Sequence, residues 1–224
     1  MSIRKHRILA LVITACLMSS AFAAYAKRKK PGKPTASAAG FSYYLLTLSW
    51  APDFCAVPGN PKSPAECGKG RKIGFVVHGL WPQSDQGRGP ENCGGSPVGQ
   101  DIVNLMLQYI PTASLIQHEW SAHGTCSGLS ASDYFAAVRK ARDSVTIPAD
   151  FGGLDHSLSL SPKDVESKFA AANPSFPPEA FRTSCTNGAL QEARICFTKD
   201  LAPQACTASA GECTMGTMTV RPVQ

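Results

Sequence analysis

No Cys-x-x-Cys pair occurs among the nine cysteines, which leaves a zinc ribbon or thioredoxin-type site without support. No His-Glu-x-x-His segment occurs either, so the arrangement that puts two imidazoles one helical turn apart for zinc is missing. No internal repeat is apparent, and strands do not alternate regularly with helices, which argues against a parallel βαβ array. No uninterrupted apolar run reaches the roughly 20 residues that span a bilayer comfortably. A global cationic surface is missing as well, despite a net charge of +6. Eight of the 22 basic residues precede residue 40, leaving fourteen against all sixteen acidic residues in the body of the chain. If that body acts on a polyanion, it must do so through a local pocket.

What the N-terminus does contain is a secretory pattern. Arg4, Lys5 and Arg7 precede an uncharged run from Ile8, and Ala21-Phe-Ala23 and Ala24-Tyr-Ala26 offer small-residue cleavage sites. Residues 1–26 therefore read as a signal peptide. Ile13-Thr-Ala-Cys16, similar to a bacterial lipoprotein cleavage box, is the alternative, and it would leave Cys16 lipidated. With Cys16 removed, eight cysteines remain, an even set that reads as up to four disulfides whose pairing the spacing leaves open. Residues 27–39 are basic and have no apolar periodicity, so they read as a disordered leader, a solvated linker before a weak tether to anionic surfaces. Residues 40–224 suit one domain with a substantial core.

Within that domain, Phe41–Trp50 and Lys72–His78 read as strands, with Gly79 available to turn the chain after the second. Cys55 to Gly70 and Ser84 to Gly99 read as loops rich in Gly and Pro. Helical periodicity runs from Asp101 to Pro111, from Ala113 to Gly124 and from Ser132 to Arg142. Ser161-Pro-Lys-Asp164 starts a further helix that Asn173-Pro174 closes. Gly188 to Phe197 reads as a late strand and Thr217 to Val220 as a short partner. Strands at both ends of a helical middle predict an α+β fold: a central, mostly antiparallel sheet with helices packed around it, stabilised by disulfides.

Three of the four histidines beyond residue 26 fall in two short segments, Phe75-Val-Val-His-Gly-Leu-Trp-Pro-Gln83 and His118-Glu-Trp-Ser-Ala-His-Gly-Thr-Cys126. Histidine is the side chain that gives or takes a proton near neutrality, so its clustering beside a glutamate points to acid–base chemistry. The five-residue gap places His118 and His123 about 140° apart around a helix, unsuited to a shared metal. Glu119 and His123 are four apart and share a face, so the carboxylate is expected to orient that imidazole or raise its basicity. His78, at the expected end of a strand, would face this pair across a cleft. Two imidazoles on opposite sides of a substrate suffice for metal-free RNA cleavage: one removes the ribose 2′-hydroxyl proton and the other protonates the leaving 5′-oxygen.

Both segments resemble the two active-site blocks of the ribonuclease T2 family, in order and separation. The resemblance extends through Leu48-Ser-Trp50 and Cys55 to Leu190-Gln-Glu-Ala-Arg-Ile-Cys196-Phe. It implies a bacterial, exported endoribonuclease, periplasmic or extracellular. A single catalytic domain would act as a monomer on single-stranded RNA and not on DNA, without cofactor or metal and without a membrane association after signal cleavage. His123 would be the general base and His78 the general acid, with His118 and Glu119 at the scissile phosphate. Trp81 would stack a base and Gln83 read its edge. A Cys55–Cys67 bridge would close the loop between them, and the family's pairing implies Cys93–Cys126, Cys185–Cys213 and Cys196–Cys206.

One position departs from the family pattern. Lysine usually precedes the last histidine, where this chain has Ala122. Losing one such donor typically lowers the rate by roughly two to three orders of magnitude. The expectation is a slower enzyme, or replacement of the charge by protonated His118 or by a basic residue such as Lys72 or Arg71. Rival readings are a non-catalytic RNA-binding or inhibitory relative, favoured by Ala122, and a zinc-dependent hydrolase, opposed by the histidine spacing. Trp120 reads as packing and His156 as a surface loop residue.

Overall fold

The computed structural model describes residues 40–60 and 63–224; the expected signal peptide and basic leader lie outside the described residues. Strand β1, Tyr43–Trp50, shows why the sheet is central. Its alternate residues Tyr44, Leu46, Leu48 and Trp50 enter the main core, while Tyr43 and Leu45 join a smaller cluster with Cys196 and Ala210. Covered on both faces, β1 pairs antiparallel with β2, Phe75–Gln83, and with β5, Ala189–Phe197. β5 also pairs antiparallel with β4, Phe181–Thr186. It meets β6, Met218–Val220, in parallel at Ala189 and Thr219. β6 in turn pairs antiparallel with β3, Leu158–Leu160. The fold is thus α+β with a mostly antiparallel sheet.

Six α-helices accompany the sheet among the described residues: α1 Ala51–Ala56, α2 Pro64–Cys67, α3 Gln100–Met106, α4 Ala113–Ala122, α5 Ala131–Asp143 and α6 Pro162–Ala172. The last three begin at side-chain caps. Thr112 accepts from the Leu115 N–H, Ser130 from that of Asp133, and Ser161 forms a reciprocal capping box with Asp164. Each such cap contributes about 1 kcal/mol. Among the described residues four disulfides complete the scaffold. Cys55–Cys67 joins α1 to α2, and Cys93–Cys126 ties the glycine-rich loop to the turn after α4. Cys185–Cys213 and Cys196–Cys206 hold the C-terminal segment to β4 and β5. Among the described residues no helix is long and apolar enough to cross a membrane.

The structure corrects several sequence expectations. β2 does not end at His78 but continues to Gln83, because Gly79 keeps extended pairing instead of turning. The expected loop from Cys55 to Gly70 includes the end of α1 and all of α2, whose proline-led starts read as breaks. β3 and β4 were not predicted: β3 has only three residues, and β4 hides its alternation behind Arg, Thr and Ser. β6 finds most of its pairing with β3 and only one pair with β5.

Candidate active site

His78 stands on a β-bulge. Leu48 pairs with Val77 and Thr47 with Gly79, so His78 is the extra residue of β2 and leaves the regular side-chain alternation. Bulges re-aim a side chain in this way beside functional sites. The re-aimed imidazole meets β5, where Glu192 lies across from Ser49 of β1. Nδ1 is 2.9 Å from Glu192 Oε1, with Ser49 Oγ at 3.4 Å. As a carboxylate only accepts, Nδ1 carries the proton in this contact. Arg194, two residues along the same strand, donates from Nε and Nη2 to Glu192 Oε2 at 2.9 and 2.7 Å, and from Nη1 to the Ala210 carbonyl.

The other nitrogen of His78 points toward α4. Nε2 lies 3.6 Å from Glu119 Oε1, and Glu119 Oε2 accepts a 2.8 Å hydrogen bond from Trp81 Nε1. Gly79 makes this possible: a Cβ there would collide with both Glu119 Oε2 and Trp81 Nε1. The Trp81 ring fills the centre of the cluster, 5.2 Å from His78 and 5.1 Å from His123 between centroids.

His123 is the C-cap of α4, at φ −122° and ψ −49°, outside helical geometry. The expected Glu119–His123 partnership fails for that reason, since the 100° spacing no longer applies where the helix ends. Glu119 serves Trp81 and His78 instead, and His123 Nδ1 is buried with no hydrogen-bond partner among the described residues. His118 is exposed on α4, its ring 6.4 Å from that of His123. Gln83 ends β2, half-buried.

These surroundings push the titrating groups apart. Burial, reinforced by the nearby His118 and His78, lowers the His123 pKa to about 4, so this imidazole is neutral over most of the pH range. For His78 burial opposes the charge, but the Glu192 hydrogen bond and the Glu119 and Glu192 charges outweigh it and raise the pKa. Burial raises Glu119 to about 7, against the pull of His78 and Trp81. Glu192 is held below the usual carboxylate range: burial works against it, but His78 and Arg194 prevail. His78 thus favours the protonated state and His123 the neutral one.

A cleft of about 670 Å³ opens beside the cluster, lined in part by His78, His118, Glu192, Asp53, Glu66 and Leu115. Ala122 is buried, its carbonyl accepting from the Asn92 N–H. Of the suggested replacement charges, His118 shares the cleft beside the cluster, whereas Arg71 binds elsewhere. Arg71 turns its guanidinium to the Ala65 carbonyl, and the Lys72 backbone binds that of Gln224. Arg194 is the cation with contacts there, its guanidinium carbon 6.0 Å from the Trp81 ring centroid. Trp120 is buried, donating to the Ser96 carbonyl, and His156 is an exposed residue paired with Asp155. Among the described residues no group of three His, Cys, Asp or Glu side chains is placed to hold a metal ion.

Sequence reasoning missed Glu192 and Arg194. Their signal was present: two charged residues at i and i+2 in a strand otherwise apolar except for Gln191 share one face.

Residues 41–206 match the model of the Ribonuclease T2 family. The chain belongs to the ribonuclease T2 family. A ribonuclease of Aeromonas hydrophila is 40% identical over 94 residues, 42% of this chain and 41% of that protein. A probable ribonuclease of Haemophilus influenzae is 36% identical over 124 residues, 47% of this chain and 44% of that protein. These matches span less than half the length of either relative. An RNase-related protein from Calystegia sepium shares the fold, with a TM-score of 0.66 over 83% of this chain and 99% of that one at 21% identity. The T2-family stretch includes His78, Trp81, Gln83, His118, Glu119 and His123, and also Glu192 and Arg194.

Proposed function

We propose that the protein is an endoribonuclease that cleaves single-stranded RNA by metal-independent transphosphorylation. The observation that carries this reading is the opposed setting of two imidazoles around one tryptophan: His123 with a buried, unpartnered Nδ1, and His78 between the Glu192 and Glu119 carboxyls. Groups whose environments separate their pKa values make a general base and a general acid. His123 accepts the 2′-hydroxyl proton as that oxygen attacks phosphorus. His78 delivers a proton from Nε2 to the departing 5′-oxygen. Glu119, protonated in acid, and His118 donate to the non-bridging oxygens. The first product is a 2′,3′-cyclic phosphate, hydrolysed more slowly to a 3′-phosphate, with DNA excluded because it has no 2′-hydroxyl.

Trp81 offers a base-stacking face and Gln83 an edge-reading amide in this scheme. With Trp81 Nε1 committed to Glu119, only its ring is available to substrate. Residues 40–224 form the catalytic domain, acting as a monomer after removal of residues 1–26. Four disulfides support export to the periplasm or the medium. Ala122 supports one second reading, a relative that binds RNA without cutting it.

Incubating the purified protein with a short RNA and its DNA counterpart, in excess chelator from about pH 4 to 8, tests the proposal. RNA fragments with cyclic phosphate ends and intact DNA are expected. Intact RNA that remains bound would establish the second reading.

A further inference from the structure

The cluster around His78 is asymmetric in a way the acid–base scheme does not use. The imidazole lies between two buried carboxyls, and only one of them is clamped. Glu192 has one oxygen on His78 Nδ1 and the other in a two-bond grip from Arg194, which is itself fixed to the Ala210 carbonyl. Glu119 has one oxygen on Trp81 and the other without a hydrogen-bond partner among the described residues.

Resting on the ribonuclease reading above, we propose that Glu192, clamped by Arg194, is the positioning residue of His78: it holds the proton on Nδ1 and aims Nε2 at the leaving oxygen. Strand geometry makes the device rigid. Glu192 and Arg194 sit at i and i+2 on β5, across from Ser49 and Thr47 of the central strand, while His78 is aimed by the bulge in β2. β2 and β5 flank the central β1 in one sheet, so strand pairing on either side of β1 sets the distance, and no loop intervenes. A histidine whose Nδ1–H is held by a carboxylate has its tautomer and ring plane fixed, so that the other nitrogen exchanges the catalytic proton.

Charge supports the assignment. The Glu192 hydrogen bond and charge favour the charged imidazole, and the nearby Arg194 charge opposes it directly and more weakly. The other groups facing His78 are Glu119 and His123 at α4 and Glu66 on α2, with His118 sharing the cleft. Removing Glu192 or Arg194 thus displaces the acid in opposite senses while the rest of this set stays in place.

The test combines kinetics with a readout that needs no turnover. In Glu192→Gln, kcat on a short RNA is expected to fall roughly 10- to 100-fold, part of the 10²–10⁴ that a positioned acid contributes, with KM little changed. Its alkaline limb is expected to move to lower pH, and that of Arg194→Gln to higher pH. Glu192→Asp restores the limb toward wild type if the first variant folds poorly. Nitrogen NMR of the wild-type protein above the His78 pKa is expected to show neutral His78 protonated at Nδ1. Limbs that stay in place in both glutamine variants, or an Nε2-protonated neutral ring, overturn the proposal. The NMR result holds whether or not the wild type cuts RNA, so failure of the ribonuclease reading is seen separately.

Discussion

Trp81 donates a 2.8 Å hydrogen bond from Nε1 to Glu119 Oε2, joining β2 to α4 across 38 positions of sequence. That bond aligns the two histidine segments, because it fixes the carboxyl whose other oxygen faces His78 Nε2 at 3.6 Å. It also orients the indole between His78 and His123. The site is therefore held by a tryptophan–glutamate contact between elements, and not by the Glu119–His123 contact that helical spacing suggests.

The protonation state of Glu119 sets the first prediction. With a pKa near 7, the carboxyl is neutral in acid and charged above neutrality. Glu119→Gln imitates the neutral form and keeps an acceptor for Trp81. It is expected to retain most activity near pH 5 and to lose it above pH 7, where the charge that supports His78 is gone. Equal losses at both pH values would contradict this; the measurement is kcat/KM across the range.

Wild-type kcat/KM should follow a bell in pH. Rising activity reports loss of the proton from His123, near pH 4. Falling activity reports loss of the proton from His78, whose pKa lies above the ordinary 6.5 of histidine. A rising limb centred well above pH 5 would remove His123 as the base. His78→Phe and His123→Phe should each lower kcat by at least roughly 10²-fold, with thermal unfolding and disulfide content unchanged.

Much of this site was legible in the sequence, and the part that was not has a physical cause. Residue type and clustering point to His78, His118, Glu119 and His123, because two short segments, 75–83 and 118–126, hold three of the four histidines beyond residue 26. Their mutual orientation was not legible. The bulge at His78 depends on register with β1, and the departure of His123 from helical geometry depends on how α4 ends. Glu192 and Arg194 enter only through strand pairing, more than 100 residues from His78. The α+β class followed from the placement of strands, whereas β4 was hidden by its polar residues.

Ala122 sets a further prediction. Arg71 is bound to the Ala65 carbonyl and Arg194 to Glu192, while the exposed His118 shares the cleft. Ala122→Lys should therefore raise turnover, by up to roughly 10²–10³-fold if the ammonium reaches the phosphate from this buried position. An unchanged kcat would show that the wild-type site does not need that charge.

The Cys93–Cys126 bridge closes a loop of 33 positions onto the turn that follows His123. Replacing both cysteines by alanine should lower stability by about 3 kcal/mol, measured by urea unfolding. It should also weaken activity before the domain unfolds, as the His123 turn loses its anchor. Parallel loss of activity and of fold would contradict the second part.

The central claim, a 2′-hydroxyl attacking phosphorus between His123 and His78, is tested most directly by a DNA oligonucleotide carrying one ribonucleotide, incubated with the protein in excess chelator. The account predicts a single cut on the 3′ side of that ribonucleotide, leaving a 2′,3′-cyclic phosphate by mass spectrometry. An intact strand, or a cut that leaves a 5′-phosphate, would contradict it.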